Sequence, residues 1–200
     1  MDPNVVMNRL VRLAKLDTTV FDEVRDDTNE LIPALVIAAI SSLLAGLGSA
    51  MWWKVIPDLG GDRESLWVNQ FILGSVFMFV MLIVIALVVY VIMAQMYKVQ
   101  TDVQSLIRTV GYASFPMALS LLMFVPLLWP IFAIVPLALL MVMLIYAVQS
   151  ATSAESSQVV MATLIGFVVF VFVLGLVSTT TDFAKAPIGA GLFGIISDFA

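Results

Sequence analysis

Residues 109–154 read TVGYASFPMALSLLMFVPLLWPIFAIVPLALLMVMLIYAVQSATSA, and no charged residue lies between Arg108 and Glu155. A helix crosses the hydrocarbon core of a bilayer with about 20 residues, so this run is too long for one crossing and long enough for two. Pro126, Trp129 and Pro130 lie near its middle. Because prolines interrupt helices and Trp favours the membrane interface, we expect a tight turn there. The run therefore predicts a hairpin of two membrane-spanning helices.

Apolar runs on both sides of this hairpin predict three further spans. The predicted fold class is all-α, an integral membrane bundle of five transmembrane helices with a short amphipathic N-terminal cytoplasmic helix. Residues 1–30 form the N-terminal segment, residues 31–178 the membrane domain, and residues 179–200 a short tail at the opposite interface. The five predicted spans cover residues 31–53, 71–96, 112–128, 131–148 and 159–177.

The composition excludes several functional classes. Hydrophobic residues make up 62% of the chain and charged residues 12%, and the chain has neither Cys nor His, which removes disulfides, thiolate nucleophiles and the commonest metal ligand. The five predicted spans lack Asp, Glu, Lys and Arg, which proton carriers and voltage sensors place at bilayer depth. We therefore predict that the protein is not an enzyme and holds no cofactor or metal. The net charge of −5 argues against nucleic-acid binding.

The distribution of basic residues predicts the orientation. With the N-terminus in the cytoplasm, six basic residues fall on the cytoplasmic side and three on the other. The cytoplasmic six are Arg9, Arg12, Lys15, Arg25, Lys98 and Arg108, and the other three are Lys54, Arg63 and Lys185. We therefore expect a cytoplasmic N-terminus and a C-terminus on the opposite side.

The first 30 residues predict two helices. Val6, Leu10, Leu13 and Ala14 recur on one face of the first helix, with its basic residues mostly on other faces, a pattern typical of a helix lying on anionic lipid. The second helix is acidic. Its like charges recur at four-residue steps and repel one another, and Arg25 only partly relieves this repulsion. A solvated face is the simplest interpretation; a cytoplasmic docking patch for a basic partner and divalent cation binding are the alternatives. The acidic residues are Asp22, Glu23, Asp26, Asp27 and Glu30.

A ridge of small residues runs along the first span at four-residue intervals. Small side chains let a neighbouring helix approach closely, and van der Waals contact then drives association in lipid. The ridge predicts packing within the bundle or contact with another subunit. Its members are Ala34, Ala38, Ser42, Gly46 and Ala50.

Two stretches carry a resemblance to a known family. One runs from Leu16 to Gly48 and places an acidic Phe-Asp-Glu segment directly before a long apolar helix; the other, SLIRTVGYASFPMALSLL at 105–122, places a basic residue before Gly111, Tyr112 and Pro116. Together with the hairpin and the last span, they resemble the Yip1 domain family, in particular its prokaryotic members.

The resemblance implies a five-span fold with a cytoplasmic N-terminus, a bacterial inner membrane as the location, and no established catalytic residues. At the level of single residues, Gly111 permits a turn or a close approach, Tyr112 anchors at the interface, and Pro116 starts or kinks a helix.

Two functional hypotheses follow. The first is a non-catalytic protein that organises membrane or serves as an accessory or scaffolding subunit of a larger complex, such as a respiratory or photosynthetic one. Its partners are the lipid bilayer and membrane-protein subunits or further copies of the chain. The alternative is a channel or permease for a small neutral solute, whose path is lined by Ser41, Ser42, Ser49, Gln70 and the proline-broken hairpin.

Overall fold

The structure is a computed structural model that describes residues 2–55, 67–125 and 127–180, without the side chains of 53–55, 69–70 and 177–180. Within these residues every regular element is helical, and the single extended pairing is a bridge between Thr101 and Thr152. Five helices are long and apolar enough to cross a membrane, which confirms the predicted five-span fold class. The predicted turn residue Pro126, the Gln70 side chain and residues 181–200 of the predicted tail lie outside the described residues.

Two short helices precede the spans, and the spans are mostly α-helical. Helix α1 covers Pro3–Ala14 and helix α2 covers Val20–Asp26. Span 1 is a 3₁₀ turn at Thr28–Glu30 followed by an α-helix at Leu31–Val55. Span 2 is an α-helix at Gly74–Val91 between π-helical turns at Trp67–Leu73 and Ile92–Met96. Span 3 is an α-helix at Val103–Ala113 followed by a 3₁₀ helix at Phe115–Phe124, span 4 is Trp129–Ala151, and span 5 is Ser156–Thr180.

The chain divides into two compact units, and every span contributes to both. The first unit comprises Met1–Ala38, Leu82–Phe115 and Leu140–Val168, and the second comprises Ala39–Met81, Pro116–Leu139 and Val169–Ala200. The first unit therefore contains α1, α2 and the residues that join spans 2 and 3 and spans 4 and 5.

Spans 1 and 3 begin earlier than the charge-free runs predict, and each thereby includes an ionisable residue. Glu30 lies in the candidate membrane span Thr28–Trp52, and Arg108 lies in the candidate span Val103–Phe124. The helices that carry spans 1 and 3 are therefore longer than the charge-free runs at residues 31–53 and 112–128, and their first turns include Glu30 and Arg108. Span 3 begins at Val103 because the Asp102 carboxylate caps the helix, accepting hydrogen bonds of 2.8 Å from both the backbone N–H and the hydroxyl of Ser105.

The change from α-helix to 3₁₀ helix within span 3 follows from Pro116. Proline has no N–H to donate to the carbonyl four residues earlier, and it disfavours an α conformation in the residue before it. The α-helix accordingly ends at Ala113, and the Ser114 hydroxyl donates a 2.7 Å hydrogen bond to the carbonyl of Gly111. Pro116 lies near the start of the 3₁₀ helix, the position that the sequence suggests for it.

The second unit is held by close backbone contact and by aromatic packing. A Cβ atom at Gly48 would overlap the carbonyl oxygen of Ser120 and lie 2.7 Å from the Cα of Leu121, so span 1 touches the 3₁₀ part of span 3 here. Trp52 packs with Met123 and Ala133, and its ring centroid lies 5.2 Å from that of Trp129 at an interplanar angle of 46°. Such tilted aromatic pairs add favourable contact beyond their buried area.

Candidate functional site

The charged side chains of the first unit converge on its N-terminal face, which we define as α1, α2, the Thr28–Glu30 turn, the first turns of span 3 and the linker 152–155. Arg9 of α1 lies at its centre. The Arg9 guanidinium contacts the Glu30 carboxylate through Nη1, and its Nε lies 3.5 Å from Oε2 of Glu23 and its Nη2 4.0 Å from Oδ2 of Asp27. One arginine from outside the acidic segment therefore faces three of its five carboxylates.

Glu30 and Tyr112 form a buried pair beneath Arg9. The Tyr112 hydroxyl donates a 2.5 Å hydrogen bond to Oε2 of Glu30. Tyr112 is 0% exposed and Glu30 is 7% exposed. A buried carboxylate is costly unless it is paired and hydrogen-bonded, and here Arg9 supplies the charge and Tyr112 the hydrogen bond. Tyr112 is thus enclosed by protein, whereas the sequence places it at a membrane interface, because sequence spacing does not reveal the carboxylate that receives its hydroxyl.

The protonation of Arg9 follows from this environment. Burial disfavours the charged guanidinium, but the neighbouring Tyr112 hydroxyl and the negative charge of Glu30 outweigh burial and raise the pKa of Arg9. Arg9 therefore stays positively charged at any physiological pH.

Gly111 allows spans 1 and 3 to approach closely enough for the Glu30–Tyr112 bond. A Cβ atom at Gly111 would lie 2.6 Å from the carbonyl oxygen of Ala34 and 2.8 Å from its Cβ, distances that real Cβ atoms do not adopt. Ala34 follows Glu30 by one helical turn, and Tyr112 follows Gly111 directly. Glycine at 111 and alanine at 34 thus set the separation at which the phenol reaches the carboxylate.

Arg12 fastens α1 to the start of α2. Its guanidinium donates hydrogen bonds of 2.8 Å to Asp17, 2.7 Å to Glu23 and 3.0 Å to the hydroxyl of Thr19. The hydrogen bond from the Thr19 hydroxyl and then that from Arg12 lower the pKa of Asp17. Between the helices, Leu16 adopts a left-handed backbone conformation with φ 63°, which reverses the chain.

Arg25 connects α2 to the end of span 4. It donates hydrogen bonds of 2.7 and 2.8 Å to both carboxylate oxygens of Asp26 and one of 2.8 Å to the carbonyl of Ser150, and the first contact lowers the pKa of Asp26. The Ser150 hydroxyl donates a 2.7 Å hydrogen bond to Asp22. Helix α2 is therefore attached to span 4 through two separate contacts at one residue.

Arg108 closes the C-terminal end of α2. It is 4% exposed, and its Nη2 donates a 2.6 Å hydrogen bond to the carbonyl of Arg25 and a 2.9 Å bond to the hydroxyl of Ser105. Carbonyls in the last turn of a helix lack intrahelical partners and carry partial negative charge, so a cation stabilises them. Sequence reasoning notes Arg108 only as the basic residue before Gly111, because its partner is 83 positions away.

Helix α1 packs on protein through Val6 and Leu13, two of the four residues of the face that the sequence assigns to lipid; Leu10 is half-buried and Ala14 is exposed. Val6 is 7% exposed and Leu13 0%, while Arg9 and Arg12 face carboxylates of the same chain. The apolar face of α1 is real, but the pattern does not specify what covers it. The charge repulsion expected in the acidic segment is relieved by Arg9 and Arg12 in addition to Arg25.

The acidic residues differ in what remains available to solvent. The exposed fraction of the side chain is 58% for Asp22 and 68% for Asp26, against 42% for Glu23, 38% for Asp27 and 9% for Glu30. Asp22 and Asp26 thus point outward from α2, and Glu30 points inward. In the part of the chain that the structure describes, no group of three or more Asp or Glu residues is arranged to hold a metal ion.

The small-residue ridge of span 1 is buried along its length. In the first unit Ala34 is 0% exposed and Ala38 4%; in the second, Ser42 is 1% and Ala50 3% exposed, and Gly46 is also buried. The ridge is therefore covered by protein, and Ala34 meets Gly111 of the same unit.

Comparison with known proteins identifies one relationship. A family model described as Yip1 domain matches residues 18–179. No curated protein and no solved structure matches the chain.

Proposed function

The chain belongs to the Yip1 domain family, a family of multi-pass membrane proteins not known as enzymes, and from that premise we propose that it acts as an accessory or scaffolding subunit in a membrane complex. In this role the protein performs no chemistry and presents a surface to a partner subunit. We assign it to the prokaryotic-type members and to the bacterial inner membrane.

One observation carries this proposal: Asp22 and Asp26 project from a helix that the rest of the chain holds in place. They are one helical turn apart, and their side chains are 58% and 68% exposed. The Arg25 side chain bonds to the Ser150 carbonyl, the Ser150 hydroxyl bonds to Asp22, and Arg108 bonds to the Arg25 carbonyl, so α2 is held in place. Glu23, Asp27 and Glu30, by contrast, face Arg9. The outward pair therefore forms a docking patch for a basic partner, within the larger acidic group that includes Glu23, Asp27 and Glu30.

The same face supports the proposed cytoplasmic N-terminus. Helix α2 contacts Ser150 and Arg108, and Thr101 pairs with Thr152, so the N-terminal segment lies on the same side as the connections between spans 2 and 3 and spans 4 and 5. These segments and the first turns of span 3 contain six of the nine Lys and Arg residues of the chain. The positive-inside rule assigns that side to the cytoplasm.

Burial of the small-residue ridge supports internal packing as its role. Ala34 and Ser42 are each at most 1% exposed, so neither reaches a neighbouring subunit in this conformation. We infer that partner subunits, or further copies of the chain, bind through the docking patch or the lipid-facing sides of the spans.

The test is the mass of the protein in mild detergent, measured by native mass spectrometry after purification from its own membranes. We expect a complex heavier than the 21.8 kDa chain. Replacing Asp22 and Asp26 by Lys should dissociate a partner held by the docking patch, whereas Glu155→Lys, an exposed acid outside the patch, should leave it bound. A single monomer in every preparation would contradict the proposal.

A second candidate, a path for a small neutral solute, has one specific observation in its favour. The hydroxyls of Ser42, Ser75 and Ser120 are buried in the second unit and have no hydrogen-bond partner among the described residues. A buried hydroxyl without a partner is unfavourable, and a water molecule or small polar solute would satisfy it. Solute flux into proteoliposomes, reduced by Ser42→Ala, would support this candidate, and flux equal to that of empty vesicles would reject it.

A further inference from the structure

Helix α1 lies outside the family domain and yet fills its buried acidic site. The family model begins at residue 18, whereas α1 ends at Ala14. The Glu30–Tyr112 pair lies within the matched region, and its positive partner, Arg9, comes from α1. The membrane domain is thus completed at this point by a segment that is attached to it from outside.

The attachment of α1 is limited to one narrow face. Among its residues only Val6 and Leu13 are buried, and Arg9 lies between them on the same side of the helix. The opposite side is open, with Met7 61% and Val11 45% exposed. A helix of this length is marginal in water without its tertiary contacts, so these few side chains, together with the Arg12 hydrogen bonds to Asp17, Thr19 and Glu23, determine whether α1 stays folded on the domain.

We propose that α1 is a reversible strap, closed by Arg9 over the Glu30–Tyr112 pair and able to open while the five spans remain folded. Closure satisfies Glu30 with a guanidinium and covers Val6 and Leu13. Opening uncovers Glu30 and frees the carboxylates of Glu23 and Asp27 that Arg9 faces in the closed state.

The strap regulates partner binding beside the docking patch, because Arg9 faces Glu23, Asp27 and Glu30, the members of the acidic group that lie outside the Asp22–Asp26 pair. A basic segment of a partner and Arg9 cannot occupy Glu23, Asp27 and Glu30 together, so partner binding and strap closure oppose each other. This consequence rests on the proposed docking function, whereas the opening of the strap is a property of the isolated chain. The two can therefore fail independently.

Opening can be measured with single cysteines, because the chain has none of its own. Leu13→Cys reports strap opening to a water-soluble maleimide, since Leu13 is 0% exposed in the closed state. Met7→Cys gives the maleimide labelling rate at an exposed position of α1. Leu106→Cys, also 0% exposed but in span 3, reports any general loosening of the domain.

In the purified full-length chain, the labelling rate of Leu13→Cys should fall between those of the two reference cysteines. Arg9→Ala, which leaves Glu30 without its cation, should raise the Leu13→Cys rate at least about tenfold, a change equivalent to about 1.4 kcal/mol. Glu30→Gln, which keeps the shape of the side chain, should raise it in the same direction. Lys15→Ala should not, because Lys15 forms no ion pair among the described residues.

Two outcomes would overturn the proposal. An unchanged Leu13→Cys rate in both the Arg9→Ala and Glu30→Gln backgrounds would mean that the ionic contact does not hold α1. An equal rise at Leu106→Cys would mean that α1 is an integral part of the fold. Failure of the docking function alone would appear differently, as normal strap opening in a chain whose mass never exceeds that of the monomer.

Discussion

The two units of this protein are held together by different kinds of contact. In the first, span 1 meets span 3 where Gly111 touches Ala34, and a charged network covers that meeting point. In the second, the same two spans meet where Gly48 touches the backbone of Ser120 and Leu121, and aromatic rings pack nearby. Glycine supplies the close approach in both units, but only the first adds charged side chains. The comparison indicates that backbone contact brings the spans together, while charge attaches the N-terminal helices to them.

Substitution of the contact glycines should produce the largest effect. Gly48→Ala and Gly111→Ala place a Cβ within 3 Å of backbone atoms that cannot move independently, so each should destabilise its unit by about 2–3 kcal/mol. Gly166→Ala is the matched control, because its nearest contact is a Val89 methyl at 3.3 Å and alanine favours a helix. The measurement is thermal unfolding in detergent. An equal loss of stability in all three variants would show that close backbone approach does not distinguish Gly48 and Gly111 from Gly166.

Replacement of Arg108 should affect the first unit alone. Arg108→Met keeps an unbranched stem similar to that of arginine but removes the guanidinium that donates to the Arg25 carbonyl, and a hydrogen bond from a charged group contributes about 1.5–3 kcal/mol. We expect faster proteolysis within α2 and unchanged reactivity of a cysteine in the second unit. Ser105→Ala, which removes the second acceptor of the same nitrogen, serves as the milder control. Equal proteolysis of α2 in wild type and Arg108→Met would show that this cap does not hold the helix.

Removal of the Tyr112 hydroxyl should have a smaller effect. Tyr112→Phe retains the ring and the fit against Ala34, but leaves Glu30 with Arg9 as its partner, at a cost of about 1–2 kcal/mol. Thermal unfolding measures the loss of stability. The double variant Tyr112→Phe with Glu30→Gln should lose less stability than the summed losses of the two single variants. Strict additivity would mean that the hydroxyl and the carboxylate are not coupled.

Acidification should have the smallest effect and should loosen the N-terminal helices and the first turn of span 3, where the pKa of the capping residue Asp102 is also lowered. The pKa values of Asp17 and Asp26 are lowered in the folded state, so the stability they contribute is present above the ordinary value of 3.8 and is lost as the pH falls below it. Both groups are exposed, and their ion pairs contribute little. Amide hydrogen exchange, corrected for its intrinsic pH dependence, should increase in α1 and α2 between about pH 4 and pH 2. An equal increase in span 5 would contradict this assignment.

The number and kind of elements could be predicted from the sequence because lipid imposes a length and a composition on each span. The same criterion starts span 3 at residue 112, whereas the helix begins at Val103, because the criterion excludes Arg108, whose guanidinium donates a hydrogen bond to the Arg25 carbonyl. It omits Glu30 from span 1 for the same reason.

The candidate site is less accessible to sequence reasoning than the spans. Hydrophobic periodicity identifies the buried face of α1, yet nothing local indicates that Arg9 would meet Glu30 and Tyr112 rather than lipid headgroups. Gly111 and Tyr112 could be singled out as a motif, but their partners are distant in the sequence. Ala34 precedes Gly111 by 77 positions, and Glu30 precedes Tyr112 by 82. The roles of these residues depend on long-range pairing.

The contact between Arg25 and Ser150 has a consequence for biosynthesis. The two residues are 125 positions apart, and at about 5–20 residues per second the ribosome needs roughly 6–25 s to make the second after the first. During that interval the newly made α2 has no anchor on span 4, and its acidic side chains are open to insertion factors and other passing proteins. The N-terminal face is therefore the first part of the chain to be translated and among the last to be completed.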